Sequence, residues 1–420
     1  MQDDLKATII KHPQHSIETK QIPKNAQKVL NQLLSNGFQA YLVGGCVRDL
    51  LLNHFPKDFD VATDAKPEQV KELFSNCRLI GRRFRLAHIY FKQGIIEVAT
   101  FRGHNDQSRD VSDSGMILRD NVFGSLAEDA YRRDFTINAL YYDLKNNAIL
   151  DFINGFDDLQ HHRIAIIGDP STRYREDPVR MLRAARFAAK LNMQLTRHTQ
   201  EPIHQQAVLL EEVSPSRLFD EVIKLFHTGH AQAVLPILFE LDLMSVLFPD
   251  LTQLINSPRH NNPIFQFLEQ ACCQTDQRVL NQKGVSCVFL YAVLLWPVFI
   301  ERYKQAQAME ETEDLLTDIA RQTLRRQSWI TGIPKRFHGT ITSIWRMQFQ
   351  LVQATPAKVD KLLTKSRFRA GYDLLLLRGN INPSLKPWGK WWYKYQQVTS
   401  EKKHKQKLKK IPEPINNFEF

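Results

Sequence analysis

Cysteine is scarce in this sequence: five residues, Cys46, Cys77, Cys272, Cys273 and Cys287, in a chain of 420. They show no CxxC spacing and no disulfide-rich density, which argues against a structural zinc site and a disulfide framework and points to a reducing compartment. Long hydrophobic runs are also missing. The longest, CVFLYAVLLWPVFI over 287–300, has 14 residues and contains Pro297, short of the roughly 20 that cross a bilayer. It reads as a buried helix. The opening residues MQDDLKATIIKH carry an apolar run too short for the core of a signal peptide. A cytoplasmic location without membrane contact is therefore expected by elimination. No internal repeat is visible. Acidic residues are in deficit: 56 Lys plus Arg against 45 Asp plus Glu leaves a net charge of +11. That surplus suits a polyanionic partner such as nucleic acid or nucleotide phosphate, and also suits a generically basic protein. With 43% hydrophobic and 24% charged residues, the chain forms cores and is not disordered.

The first third alternates strand-like and helix-like text. QAYLVGG (39–45) is a strand entering glycines and CVRDLLLN (46–53) is helical. KDFDVAT (57–63) alternates as a strand, and PEQVKELFSN (67–76) is a helix with proline in its first turn. RLAHIYFK (85–92) and IIEVATFR (95–102) form a hairpin turning at Gln93-Gly94. The polar stretch 103–121 reads as a mobile loop near the catalytic region. From about Asp177 the apolar spacing is helical throughout, in MLRAARFAAKL, SRLFDEVIKLF and AVLPILFELDLMSVLF. The fold class is α+β: a mixed or antiparallel sheet with helices, then an all-α remainder. The segment 401–414 carries six lysines and reads as a solvated tail.

Asp58-Phe59-Asp60 places two carboxylates on one face of a strand while Phe59 enters the core. Such a pair suits a hard cation such as Mg²⁺; the alternative is a solvated strand end. Upstream, Gly44-Gly45 sits between a strand and a helix, where backbone can approach a phosphate. Arg48 can reach an anion, or pair with Asp49. Glu97, flanked by apolar residues in IIEVATF, is either paired with a cation or exposed at an edge. Three carboxylates from two strands beside a glycine turn form the layout of a two-metal nucleotidyl transferase. Asp177 and Arg180, three apart, can read a base edge together, and Arg183 and Arg186 continue the ladder towards phosphates. The alternatives are an Asp177-Pro178 cap and an ordinary Glu176–Arg180 pair.

LVGGCVRDLLLNHFPKDFDVAT resembles the signature of the class II nucleotidyltransferases of the polymerase-β superfamily, which holds tRNA CCA-adding enzymes and bacterial poly(A) polymerases. RRDFTINALYYD (132–143) is similar to the family's second motif and REDPVRMLRAARFAAKL (175–191) to its base-reading helix; the likeness covers at least 40–230. It implies a polymerase-β-type head, with Asp58, Asp60 and Glu97 holding two Mg²⁺ ions and Gly44, Gly45 and Arg48 at the triphosphate. It also implies Arg133 as a nucleotide contact and Asp134 as an active-site residue near the ribose. The alternative for Arg132, Arg133 and Asp134 is a local ion-pair cluster.

LIGRRFRLAHIYF (79–91) resembles the bacterial poly(A) polymerase signature, in which Arg82, Arg83 and Arg85 around Phe84 suit RNA phosphates; the alternative is a basic turn. PSRLFDEVIKLF (215–226), IPKRF (333–337), FRAGYDLLLLR (368–378) and KWW (390–392) resemble that family's helical body. The chain carries a lysine run where longer family members have an extended arginine-rich tail, which bears on RNA binding and not on the chemistry. The resemblance implies an N-terminal extension and first helix (1–38), a catalytic head (39–167), a neck (168–230), an RNA-binding body (231–396) and a tail (397–420). It implies template-independent addition of AMP from ATP to RNA 3′ ends by a monomer, with RNA-decay machinery as a partner. Trp388, Trp391 and Trp392 can stack bases or pack in the core, and Trp296 and Trp345 fit the core. CCA addition to tRNA is the first alternative and a non-catalytic RNA-binding relative the second.

Overall fold

The computed structural model describes residues 6–81, 85–103, 110–111, 117–119, 122–255, 261–308, 314–397 and 410–415. The chain divides into two units, Met1–Gln206 and Ala207–Phe420. The first unit is built on a mixed sheet. Its strands are β1 (Thr8–Lys11), β2 (Ala40–Val43), β3 (Asp60–Thr63), β4 (Cys77–Ile80), β5 (Leu86–Phe91) and β6 (Gly94–Thr100). After the short pair β7 (Asp110–Val111) and β8 (Ile117–Arg119) come β9 (Leu140–Asp143) and β10 (Ala148–Asp151). The spatial order is β1-β10-β9-β2-β3-β6-β5-β4. Every pairing in it is antiparallel except β3 with β6, which is parallel. A parallel pair needs a crossover, and here it is supplied by helix α3 (Pro67–Leu73) with β4 and β5.

Helices cover the sheet where the sequence alternates with it. α1 (Lys24–Ser35) buries Ala26, Val29, Leu30 and Leu33, a stripe at helical spacing. α2 (Gly45–Leu51) follows β2 directly, because Gly44 turns the chain at φ 77°, a left-handed conformation that glycine adopts without a Cβ clash. α4 (Leu126–Arg132) starts on a reciprocal cap: Ser125 N donates to Glu128 Oε2 at 2.7 Å and Glu128 N to Ser125 Oγ at 3.3 Å. α5 (Gly155–Gln160), α6 (Pro170–Glu176), α7 (Val179–Leu191) and α8 (Arg197–Gln206) complete the unit.

Several strands and turns of the first unit differ from the sequence reading. Thr8–Lys11, inside the segment read as an N-terminal extension, is the edge strand of the sheet, paired with β10. The hairpin turns at Lys92 and Gln93, with Gly94 already paired to Phe91. Asp58 lies in a bend ahead of β3. Within the 103–121 loop, β7 and β8 pair as a short ribbon; residues 104–109, 112–116 and 120–121 lie outside the described residues. A two-residue strand, Gln194–Leu195, follows α7 and pairs with Arg163–Ile164. These elements are too short for a period of two to stand out in the text.

In the second unit the described residues form helices joined by turns. The apolar run 287–300 divides into the helices Cys287–Leu294 and Trp296–Gln307, Pro297 opening the second. No helix among the described residues is long and apolar enough to cross a membrane. Trp388, Trp391 and Trp392 are buried with Tyr395, Phe368 and Tyr372. They stand at i, i+3, i+4 and i+7 of the helix Lys386–Gln396, so they share one stripe and fill the core. Trp392 Nε1 donates to Leu351 O at 2.9 Å and Trp388 Nε1 to Glu413 O at 3.1 Å. The stacking role for these three is therefore replaced by packing; Trp296 and Trp345 are also buried. Of the tail 397–420, residues 397 and 410–415 are described.

Candidate active site

The parallel register sets Asp60 beside Glu97 and Val61 beside Val98. Side chains at one register of neighbouring strands share a face, so two carboxylates meet in the middle of the sheet. On the far side of Glu97 stands His88, its antiparallel partner, with Nε2 at 3.2 Å from Glu97 Oε1. Phe59 is buried and Asp58 exposed. The electrostatic consequence falls on Asp60. Burial, then the charge of Glu97, push its carboxyl up to about 6; Arg133 opposes the shift and Asp58 adds to it. This is the excess negative charge that a divalent cation relieves.

Among the described residues no three His, Cys, Asp or Glu side chains converge as a closed metal cluster. The expected trio is thus a coupled pair, Asp60 and Glu97, with Asp58 at its edge. Such a set fits Mg²⁺, which is commonly held by one or two carboxylates together with substrate phosphates. Cys46, behind this corner, donates its thiol to Val43 O at 3.2 Å. Burial, chiefly, pushes that thiol up to about 12, so it stays protonated and inert.

The glycine corner faces a guanidinium. A Cβ on Gly44 would stand 3.4 Å from Arg133 Nη1, so a side chain there would fill the space in front of it. Arg133 is fixed from behind: Nη2 donates to Asp129 Oδ2 at 3.0 Å, Nε to Tyr141 Oη at 2.9 Å, and its carbon lies 5.2 Å from the Tyr141 ring centroid. Tyr141 Oη in turn donates to Asp129 Oδ2 at 2.6 Å. Asp129 is buried, and the network keeps Arg133 charged despite its own burial. Arg48 is buried too. It donates to Asn138 Oδ1 at 2.6 Å and twice to Asp49 Oδ1, at 2.8 and 2.6 Å, so the pairing with Asp49 is formed and the side chain ties α2 to the RRDFT segment.

Asp134 accepts from Phe135 N at 2.8 Å, Asn138 Nδ2 at 3.1 Å and Arg183 Nε at 2.8 Å, with Arg183 Nη2 closing a second contact. Burial pushes its carboxyl up, but Arg183 and these hydrogen bonds outweigh it and hold the group well below the usual carboxylate range. The helical run read as starting at Asp177 breaks there. Asp177 ends α6, and its carboxylate accepts from Val179 N at 3.3 Å as α7 begins. Arg180 Nη1 donates to Glu176 Oε2 at 3.0 Å and Arg173 O at 2.7 Å, so the ordinary i,i+4 pair is present. Arg186 lies over the Phe187 ring at 5.5 Å, and Arg48 and Arg183 approach the same ring at 5.1 and 5.4 Å. Arg85 pairs with Glu68, whereas Arg82 and Arg83 lie outside the described residues.

Three family models match the chain: the poly A polymerase head domain over residues 40–165, the probable RNA and SrmB-binding site of polymerase A over 192–255, and the polymerase A arginine-rich C-terminus over 308–416. Poly(A) polymerase I of Escherichia coli O6:H1 (strain CFT073) is 45% identical over 401 residues, covering 93% of this chain and 86% of that protein. The chain belongs to the bacterial poly(A) polymerase family.

The other branch of the superfamily is matched less fully. The CCA-adding enzyme of Lactobacillus helveticus (strain DPC 4571) is 39% identical over 221 residues, 52% of this chain and 53% of that protein. A solved tRNA-processing enzyme (apo form I) superposes with a TM-score of 0.64 at 22% identity, covering 94% of this chain and all of that one; it bears on the fold alone. The third family model reaches residue 416, so the lysine run 401–414 lies within the family's C-terminal region. As a family member, the chain shows its motif residues supported by side chains that the motifs do not name. Arg173 is buried and donates to Arg132 O at 2.7 Å, Arg133 O at 2.6 Å and Glu176 Oε2 at 2.6 Å, joining α6 to the RRDFT segment. Asp129, four before Arg133, carries no sequence signal beyond that spacing, and Tyr141 lies inside the quoted 132–143 motif without an assigned role. His88 sits inside the quoted signature without an assigned role. Trp329 is 75% exposed and stands alone in the sequence, outside every quoted motif.

Proposed function

We propose that the chain adds AMP from ATP to RNA 3′ ends without a template, and that Asp60 and Glu97, with Asp58, are the carboxylates that hold the two Mg²⁺ ions of the reaction. Family membership over nearly the whole chain supports polyadenylation, while likeness to CCA-adding enzymes extends over about half of it. The geometric observation that carries the chemistry is the in-register Asp60–Glu97 pair, with its raised carboxyl, beside the Gly44 corner. The ions would lower the pKa of the 3′-hydroxyl and neutralise the triphosphate. The carboxylates fix where that charge sits. Gly44 leaves open the space in front of Arg133, which Asp129 and Tyr141 aim at the corner to meet phosphate oxygens. Arg48 and Arg183 brace this wall through Asn138 and Asp134. The 3′-oxygen bonds to the α-phosphorus as the α–β bridging bond breaks and pyrophosphate leaves. With no template strand, adenine is selected by the protein; Asp177 and Arg180 are the base-reading groups, held by the α6–α7 junction, with Arg186 on the phosphate side. The substrates are cytoplasmic RNA, the partners RNA-decay proteins, and the enzyme works as a monomer.

The test is extension of an unstructured RNA primer and of tRNA with each labelled nucleotide and Mg²⁺. Long A tracts from ATP are expected. Efficient CMP incorporation on tRNA without A tracts would instead assign CCA addition, and no incorporation at all a non-catalytic relative.

RNA contact on the second unit gives a separate prediction. Trp329 is exposed one helical turn beyond the exposed Arg325, an aromatic and a cation on one face. Stacking on such a ring contributes about 1–3 kcal/mol per base. Trp329→Ala is expected to weaken oligo(A) binding at least fivefold in a filter-binding titration and leave the Michaelis constant for ATP unchanged.

A further inference from the structure

The second unit contains a cavity of about 900 Å³ between the helices Pro263–Leu280, Cys287–Leu294, Lys335–Val352 and Phe368–Ile381. Its rim carries Arg278, Lys283, Arg336, Arg367 and Arg369 against one carboxylate, Asp373. Two of the cations have internal partners: Arg278 donates to Gly284 O at 2.7 Å, and Arg369 pairs with Asp373 at 3.1 Å. Among the described residues no carboxylate pairs with Lys283, Arg336 or Arg367. A concave wall of unmatched cations focuses the field and draws in an anion. The rest of the lining mixes amide and hydroxyl side chains, among them Gln274, Asn281, Thr340 and Ser366, with apolar ones. Phe289 and Phe337 present rings, and Leu376 is left 37% exposed. The Arg336 guanidinium carbon lies 5.2 Å from the Phe337 ring centroid, so cation and ring already stand together.

A ligand that fits such a lining has a charged end and a flat, weakly polar body. Binding pockets of roughly 300–1,000 Å³ hold molecules of that size. A cationic track beside aromatic rings is also how proteins hold single strands without reading sequence. We infer that this cavity takes an unpaired nucleotide of the RNA being extended, its phosphates on Lys283, Arg336 and Arg367 and its base against Phe289 and Phe337. The inference rests on RNA being the substrate. It is distinct from the 192–255 stretch matched to the RNA and SrmB-binding model, which contributes His227 alone to the cavity.

The experiment compares the full chain with its Lys283→Gln/Arg336→Gln/Arg367→Gln variant, using fluorescein-labelled A20 RNA in anisotropy titrations from 50 to 200 mM salt. The variant is expected to bind at least about tenfold more weakly, and its slope of log K against log salt to be shallower by about 2, for three phosphate contacts on a single strand. The Michaelis constant for RNA rises in parallel, while kcat and the constant for ATP stay within twofold. An Arg336→Lys/Arg367→Lys variant keeps most of the affinity, which separates lost charge from lost folding. In the wild-type chain, photoreactive A20 is expected to crosslink to peptides containing Phe289 or Phe337, displaced by unlabelled A20 and not by equal AMP. Unchanged affinity and slope, absence of the crosslink, or displacement by AMP as effective as by A20 would each overturn the inference, the last by assigning a free-mononucleotide pocket. If the wild-type chain fails to extend RNA, the polyadenylation reading falls, while the binding and crosslinking measurements still judge the cavity.

Discussion

Asp60→Asn is expected to lower AMP incorporation by about 10³-fold and, without divalent cations, to make the folded protein more stable at pH 8. The first effect follows from removing a charge that positions the ions, whose transition-state stabilisation is several kcal/mol, each 1.4 kcal/mol being about tenfold in rate. The second follows from linkage. Asp60 is held near 6 in the folded chain, above the ordinary carboxylate value of 3.8. A raised carboxyl contributes stability that is present in full below its unfolded pKa and is lost as pH rises from about 4 through 6. Above that window the ionised group costs about 2–3 kcal/mol, and asparagine removes the cost. Thermal melts of both proteins at pH 8, with EDTA and with Mg²⁺, check this: the variant melts higher in EDTA, and Mg²⁺ raises the melting temperature of the wild type more than that of the variant. Protons compete with the cation at the same group, so wild-type Mg²⁺ affinity by calorimetry is expected to fall as pH drops below about 6. A variant that extends primers as fast as the wild type would remove Asp60 from the site.

Asp134→Ala carries the second large effect, and it runs the other way. The carboxylate is held low by Arg183, Asn138 and its own backbone neighbour. Removing it takes the Asp134 carboxylate away from Arg183 at a junction between α7 and the RRDFT segment. Breaking a buried pair costs about 3–5 kcal/mol; Arg183 is partly exposed, so a loss of about 2–3 kcal/mol in urea unfolding is expected. A depressed carboxyl contributes stability that is present above its unfolded pKa, near 4, and is lost as pH falls through the folded value. The wild type should therefore lose stability below pH 4 more steeply than the variant. A double-mutant cycle with Arg183→Ala isolates the pair, and a coupling near zero would mean that Asp134 matters to nucleotide binding and not to the junction. Primer extension by Asp134→Asn, which keeps the shape and some of the hydrogen bonds, then reads the functional share.

The local motifs were legible because each is an unbroken run whose chemistry and periodicity agree. The glycines after AYLV and the arginines at three-residue spacing in VRMLRAAR appear in the text as they stand in space, and of the Asp-x-Asp before VAT the second carboxylate opens the strand while the first lies in the bend before it. The residues that hold those motifs were not legible. Arg173 reaches the carbonyls of Arg132 and Arg133 across forty positions of sequence, and nothing near Arg173 records the destination. The tryptophans of KPWGKWWYKY read equally as a stacking surface or a core stripe, because a spacing says which residues share a face and not what the face meets.

By itself, the sequence determined the fold class and the family and named the candidate carboxylates, since these depend on residue types in fixed local order. Tertiary structure decided the rest: that Asp60 is coupled to Glu97 by parallel register, that Asp58 stands at the edge of the pair, and that Arg48 and Arg183 are braced by Asn138 and Asp134 from other segments. Electrostatic coupling and burial depend on distance through space, and the chain sets those distances only once its strands are aligned.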